Sequence, residues 1–183
     1  MPRATCRQEL LDAAAAVVAE SGAGHLTLDA VAEKAGVSKG GLLYHFPNKE
    51  SLLVGLMTRH FEDCDARRAA ALDDLANDNA RELKAELLTF LEKPGVDART
   101  GRGMLAAIAN EPRLTQTLLE RNRERFEALA EQPGSFERKT LVLLATMGLG
   151  LLEMLQVSPF NCDQRKALID ELMRLAEEAS RPD

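Results

Sequence analysis

Side chains able to contact a polyanion crowd into one stretch, residues 26–53, LTLDAVAEKAGVSKGGLLYHFPNKESLL. Lys39, Tyr44, His45 and Lys49 supply two cations, a phenolic hydroxyl and an imidazole, groups suited to phosphate oxygens and base edges. Thr27 and Ser38 stand where helices should start, so their hydroxyls lie near backbone N–H groups and a positive dipole end that attract phosphate. Gly40 and Gly41 sit inside the second of these helices, where each costs about 1 kcal/mol against Ala. Their presence is explained if the helix backbone must approach another surface closely. The expected division is phosphate contact by Tyr44 and Lys49 with Thr27 and Ser38, and base-edge contact by Lys39, Gly40, Gly41 and Leu43, with His45 beside them. The alternative for Tyr44 is packing at the rim of a core.

The elements that position this set follow from periodicity. Leu28, Val31, Ala32 and Ala35 share one face of a short helix over 28–35; Gly36 stops it, Val37 plugs the turn, and Ser38 caps a second helix over 39–45. Two short helices joined through a Gly-containing turn form a helix-turn-helix. Thr5 and Gln8 suggest a capping box for a preceding helix with Leu10, Ala13, Ala14, Val17 and Val18 inside. Pro47 closes the second helix, and Asn48 caps a long one running to about Ala76, roughly 40 Å at 1.5 Å per residue.

The run GVSKGGLLYHFPNKESLL, preceded by LTLDAVAEKAG, resembles the DNA-binding signature of the tetracycline-repressor (TetR) family of bacterial transcription regulators. The match covers roughly residues 8–57 and departs from the family at Gly41 and Leu43, where Thr and Tyr are usual. The resemblance implies an all-α, two-domain regulator: a DNA-binding head over 1–47 and a ligand-binding and dimerisation domain over 48–183, nine helices in all.

The remaining sequence agrees in pattern. Leu83, Leu87, Leu88 and Leu91 mark a fifth helix before Pro94-Gly95; Met104, Leu105 and Ile108 mark a sixth; Leu114, Leu118, Phe126 and Leu129 mark a seventh capped by Asn110 and stopped at Pro133-Gly134. Residues 136–157 are apolar almost all round, and 164–180 carry an amphipathic face. In the resembled family the last two helices pair with their mates in a homodimer, and a helix this apolar needs such a partner.

Net charge is −6, yet residues 1–60 hold six Lys+Arg and six Asp+Glu, so the excess acid lies beyond the head. A neutral head implies modest nonspecific affinity for DNA with a steep salt dependence. There is no signal-peptide pattern and no uninterrupted apolar run long enough for a membrane span, which predicts a cytoplasmic protein with no membrane partner. Cys6, Cys64 and Cys162 are too dispersed for a disulfide framework. His60 and Cys64 are two side chains where a tetrahedral metal site needs more, so neither metal nor cofactor is expected. Cys162 is a redox-sensor candidate with only Arg165 to lower its pKa. Arg121, Arg123 and Arg125 alternate with acids and read as a solvated face.

Lys139, Thr146 and Glu153 recur every seven residues along the apolar helix. Two readings of Glu153 stand side by side: an ion pair with an arginine, or the anchor of an effector pocket lined by Phe90, Met104, Ile108, Leu118, Asn122, Met147 and Leu151. The second favours a lipophilic, cationic ligand. The resulting expectation is a non-enzymatic repressor that binds a double-stranded, palindromic DNA operator as a homodimer and is released by a small-molecule effector. The alternative is a binding or interaction module, or an enzyme of unreadable site, with a vestigial helix-turn-helix.

Overall fold

The computed structural model describes residues 7–91, 105, 107–108 and 111–182. Among them are eight α-helices, one short 3-10 turn and no strand. Of the expected sixth helix, Leu105, Ala107 and Ile108 are helical and Met104 lies outside the described residues; Thr5, Cys6, Pro94-Gly95 and Asn110 lie outside them too. The chain forms two compact units, Met1–Phe61 with Val96–Leu119, and Glu62–Gly95 with Glu120–Asp183.

The first unit contains α1 (Arg7–Ser21), the turn Ala23–His25, α2 (Leu28–Ala35), α3 (Lys39–His45) and the start of α4 (Lys49–Asp74). Leu10, Leu11, Ala14, Leu26, Val31, Leu42, Leu52 and Leu53 are buried together with Phe46 and Met57. Each such Leu contributes about 1.5–3 kcal/mol. The unit runs beyond the expected boundary at residue 47 because Leu52, Leu53, Leu56 and Met57 of α4 belong to this core. Gly55 permits that packing: a Cβ there would lie 2.9 Å from Phe46 Cε1 and 3.2 Å from both Arg7 Nη2 and Leu11 Cδ2. Arg59 reinforces it, donating to Asp12 Oδ1 at 2.6 Å and to the Leu11 carbonyl at 3.3 Å.

The second unit contains α5 (Arg81–Leu91), most of α6 (Pro112–Glu131), α7 (Phe136–Leu155) and α8 (Cys162–Ala179). Leu83, Leu87, Leu129, Leu143, Leu149, Leu172 and Ala176 form its core. The seven-residue polar stripe of α7 faces this interior. Lys139 is fully buried and donates to the Leu129 and Gln132 carbonyls at 2.7 and 2.6 Å, closing the end of α6, and burial lowers its pKa from the ordinary lysine value. Thr146, also fully buried, donates back to the Val142 carbonyl at 2.9 Å.

Gly134, in the turn between α6 and α7, has φ +88°, and a Cβ there would lie 2.2 Å from the Ala179 carbonyl oxygen. The adjacent Ser135 N–H donates to that same carbonyl at 3.0 Å. The turn is thereby seated on the last residue of α8, a close approach that a side chain would block.

One expectation changes here. Arg121 and Arg125 are not a solvated face: Arg125 pairs with Glu86 at 3.1 Å and lies over the Phe90 ring at 4.8 Å, and Arg121 pairs with Asp65. Only Arg123 of the three is exposed. The reason is that the acids alternating with them along α6 are not their main partners; carboxylates on α4 and α5 are. On α7, one side is left bare in the single chain. Leu141, Leu144, Leu151 and Leu155 form an exposed stripe, with Leu141 66% exposed.

Candidate DNA-binding face

The caps of the helix-turn-helix are those expected. Ala30 N–H donates to Thr27 Oγ1 at 3.1 Å, and Gly41 N–H to Ser38 Oγ at 3.1 Å. Gly36 takes a left-handed conformation, φ 67° and ψ 31°, and its N–H reaches the carbonyls that end α2, as a left-handed cap should. At α4, Ser51 N–H donates to Asn48 Oδ1 at 2.7 Å and Asn48 N–H to Ser51 Oγ at 3.3 Å, a reciprocal cap with Ser in place of the usual acid. These local bonds fix where α2, α3 and α4 begin, and hence which α3 side chains point outward.

Leu42 and Phe46 anchor α3 inward at 0% and 2% exposure. Thr27, Ser38, Lys39, Gly40, Gly41, Leu43 and Tyr44 are exposed, while His45 and Lys49 are half-buried. Tyr44 is 85% exposed, which removes the core-rim alternative. Its ring meets His45 edge-on at 5.0 Å and 85°. Neither glycine of α3 is required by the protein's own packing. A Cβ on Gly40 would meet only Ser38 Oγ at 4.0 Å, and one on Gly41 the same atom at 3.4 Å. The face is thus one of low relief along α3, flanked by hydroxyls, a phenol and lysines.

Two residues of this region escaped sequence reasoning. Asp29, in the first turn of α2, holds Lys39 Nζ at 2.8 Å; the i, i+10 spacing falls outside any single-helix rule, so no sequence signal marks it. Gly55 sits mid-helix against Phe46, and a lone glycine inside a strong helical pattern was the available signal.

The expected effector-pocket residues belong to both units. Ile108 packs against the first core and Leu118 is half-buried in the first unit. Phe90 and Met147 pack against the second core, Asn122 is half-buried, and Leu151 is 43% exposed on the outer stripe of α7. Glu153 is occupied: Arg165 Nε donates to its Oε1 at 2.6 Å and Nη2 to Oε2 at 3.1 Å, while Nη2 also reaches the Leu91 carbonyl at 2.7 Å. That replaces the effector-facing carboxylate with an ion pair, since a half-buried acid gains more from a bidentate guanidinium than from an open surface. Its hydrogen bonds to Glu153 raise the Arg165 pKa. Cys64 accepts from Arg67 Nη2 at 3.1 Å, and burial pushes its thiol pKa up, which disfavours the reactive thiolate. Cys162 is exposed at the first position of α8. No helix among the described residues is long and apolar enough to cross a membrane.

Comparison with known proteins agrees with this geometry. The family description "Bacterial regulatory proteins, tetR family" matches residues 10–56, which contain the helix-turn-helix. The description "Tetracyclin repressor-like, C-terminal domain" matches residues 80–177, more than half of the chain. The HTH-type transcriptional repressor KstR of Mycolicibacterium smegmatis is 41% identical over 61 residues, 33% of this chain; the matched part is only 30% of KstR. A transcriptional regulator from Rhodococcus sp. Rha1 superposes with a TM-score of 0.76 at 22% identity, over 95% of this chain and 97% of that one. The multidrug binding protein EbrR, solved with malachite green, superposes with a TM-score of 0.70 at 25% identity, over 92% and 96%. From its matched N-terminal and C-terminal regions together, the chain belongs to the TetR family of bacterial regulatory proteins.

Proposed function

We propose that the protein is a ligand-responsive transcriptional repressor, cytoplasmic, that binds a palindromic DNA operator as a homodimer and is released by a small lipophilic effector. The observation that carries the DNA-binding part is the outer face of α3: two helical glycines at which a Cβ would meet nothing but Ser38 Oγ, and that no closer than ordinary contact, beside a tyrosine left almost wholly in water. Neither feature serves the fold, and both serve close approach to a duplex. Thr27, Ser38, Tyr44, His45 and Lys49 contact phosphates; Lys39, Gly40, Gly41 and Leu43 enter the major groove. The division of labour is a DNA-binding head, residues 1–47 with the start of α4 completing its core, and an effector-binding and dimerising body beyond it.

The exposed apolar stripe of α7, with Gly148 open beside it, supports pairing with a second copy. Water-exposed leucines in such a row are the pattern of an unmade interface. EbrR, whose solved structure holds malachite green, and KstR, a repressor by name, support effector binding and repression. With Glu153 taken by Arg165, a cationic effector has no carboxylate assigned to it, and the effector class is lipophilic without a specified charge.

The test is retardation of duplex DNA taken from around the protein's own gene, across salt concentrations and with a panel of lipophilic compounds. Selective binding that weakens steeply with salt and is reversed by one compound class is the expected result. Equal affinity for that DNA and for random duplex would overturn the reading.

A further inference from the structure

Asp29 and Lys39 form an ion pair that the fold does not need. Lys39 Nζ lies 2.8 Å from one carboxylate oxygen of Asp29 and 2.9 Å from the other. The lysine side chain is 57% exposed and the aspartate 70%, and a pair so wet contributes little to stability. The relation of α2 to α3 is already fixed by the Thr27 and Ser38 caps and the left-handed Gly36. What the pair does is place a carboxylate beside a cation at the entrance to the face proposed above for DNA. Next to phosphates a carboxylate is repelled unless a cation accompanies it, as Lys39 does here, and the acceptor it still presents suits a donor on the nucleic acid.

We infer that Asp29 and Lys39 together read one G·C base pair, with guanine on the lysine side; the inference rests on the DNA-binding reading. In the major groove, bases offer donors only at cytosine N4 and adenine N6, while guanine offers two acceptors, N7 and O6. Guanine O6 and cytosine N4 are hydrogen-bonded to each other, hence about 2.9 Å apart. The Lys39 nitrogen and an Asp29 oxygen are 2.8 Å apart. The two pairs therefore match edge to edge with opposite polarity: Nζ donates to O6, and N4 donates to the carboxylate. A T·A pair shows the same central acceptor and donor. It fails at the flanks, because the thymine methyl replaces N7 beside the cation, and adenine N7 places an acceptor beside the carboxylate. Reversed pairs put donor against donor. The arrangement moves no proton and leaves the ion pair intact on DNA, so Lys39 carries little counterion release.

The experiment uses the full chain. A random-sequence duplex library is enriched for bound DNA, and all four base pairs at each selected position are then measured against wild type, Asp29→Ala, Lys39→Ala, the double variant and Asp29→Asn. Asp29→Ala and Lys39→Ala should each lose roughly tenfold discrimination at one shared G·C position and little elsewhere. The double variant should lose no more than the larger single loss, since the two act as one reader. Asp29→Asn should move the preference toward T·A, because a carboxamide can bond adenine N6 and N7 together. If Asp29→Ala tightens binding to every sequence equally, Asp29 merely repels phosphate and the composite reader is wrong. Loss of discrimination at two different positions overturns it as well. If wild type enriches no sequence at all, the DNA-binding reading falls first, a separate result.

Discussion

Replacing Gly40 by alanine should pull stability and DNA binding in opposite directions. In α3 the added Cβ would find only Ser38 Oγ, 4.0 Å away, so no steric term opposes the gain in helix propensity. That gain is at most about 1 kcal/mol, and smaller near a helix start. Taking about 0.5–1 kcal/mol, a chain of 183 residues should melt about 1–4 °C higher. On DNA the same methyl projects from the flat face of α3 into the space the duplex would occupy. Displacing a close-packed contact by a methyl group costs about 1–3 kcal/mol, so affinity should fall between about fivefold and two-hundredfold. Differential scanning calorimetry and fluorescence anisotropy on the enriched operator measure the two quantities. A variant that is more stable and binds DNA as well as wild type would refute the close-approach argument and leave the glycine without explanation.

Other substitutions separate the remaining roles. Lys49→Ala, at the first residue of α4, should weaken binding alike for all sequences and reduce the slope of log affinity against log salt by about one. Leu144→Glu, in the exposed stripe of α7, should shift the protein from dimer to monomer in sedimentation and weaken operator binding while the helical circular dichroism persists. Lys139 gives a pH signature. Its folded pKa lies below the ordinary lysine value, so between the two the unfolded chain holds more protons and stability rises with pH. Wild type should therefore gain on Lys139→Met as pH rises toward the ordinary lysine value in urea titrations, whereas a constant difference would show that burial does not perturb the amine.

What could be read from the sequence was what is decided locally. Thr27, Gly36, Ser38 and Asn48 announce themselves because a cap bonds a backbone group three or so residues away, and each was found in that role. The outward set of α3 followed from Leu42 and Phe46 fixing its inner side. Partners from other helices were not legible. Periodicity put Glu153 on the polar stripe of an apolar helix but could not choose Arg165 as its partner, and the alternation of charges set Arg125 in water when Glu86 and Phe90 of α5 hold it. Asp29 was invisible for the same reason, and Gly55 because its meaning lies in Phe46 and Leu11.

The bond from Ser135 N–H to the Ala179 carbonyl has a use as a reporter. Its donor stands at the start of α7 and its acceptor at the last residue of α8, and the neighbouring Gly134 packs so close that a Cβ there would lie 2.2 Å from that same acceptor. Exchange of the single Ser135 amide with solvent deuterium should therefore time the undocking of the C-terminal helix, independently of the fraying of α7 itself. Removing residues 179–183 would release that amide while leaving those deeper in α7 protected, so one resonance distinguishes detachment of the last helix from melting of the unit.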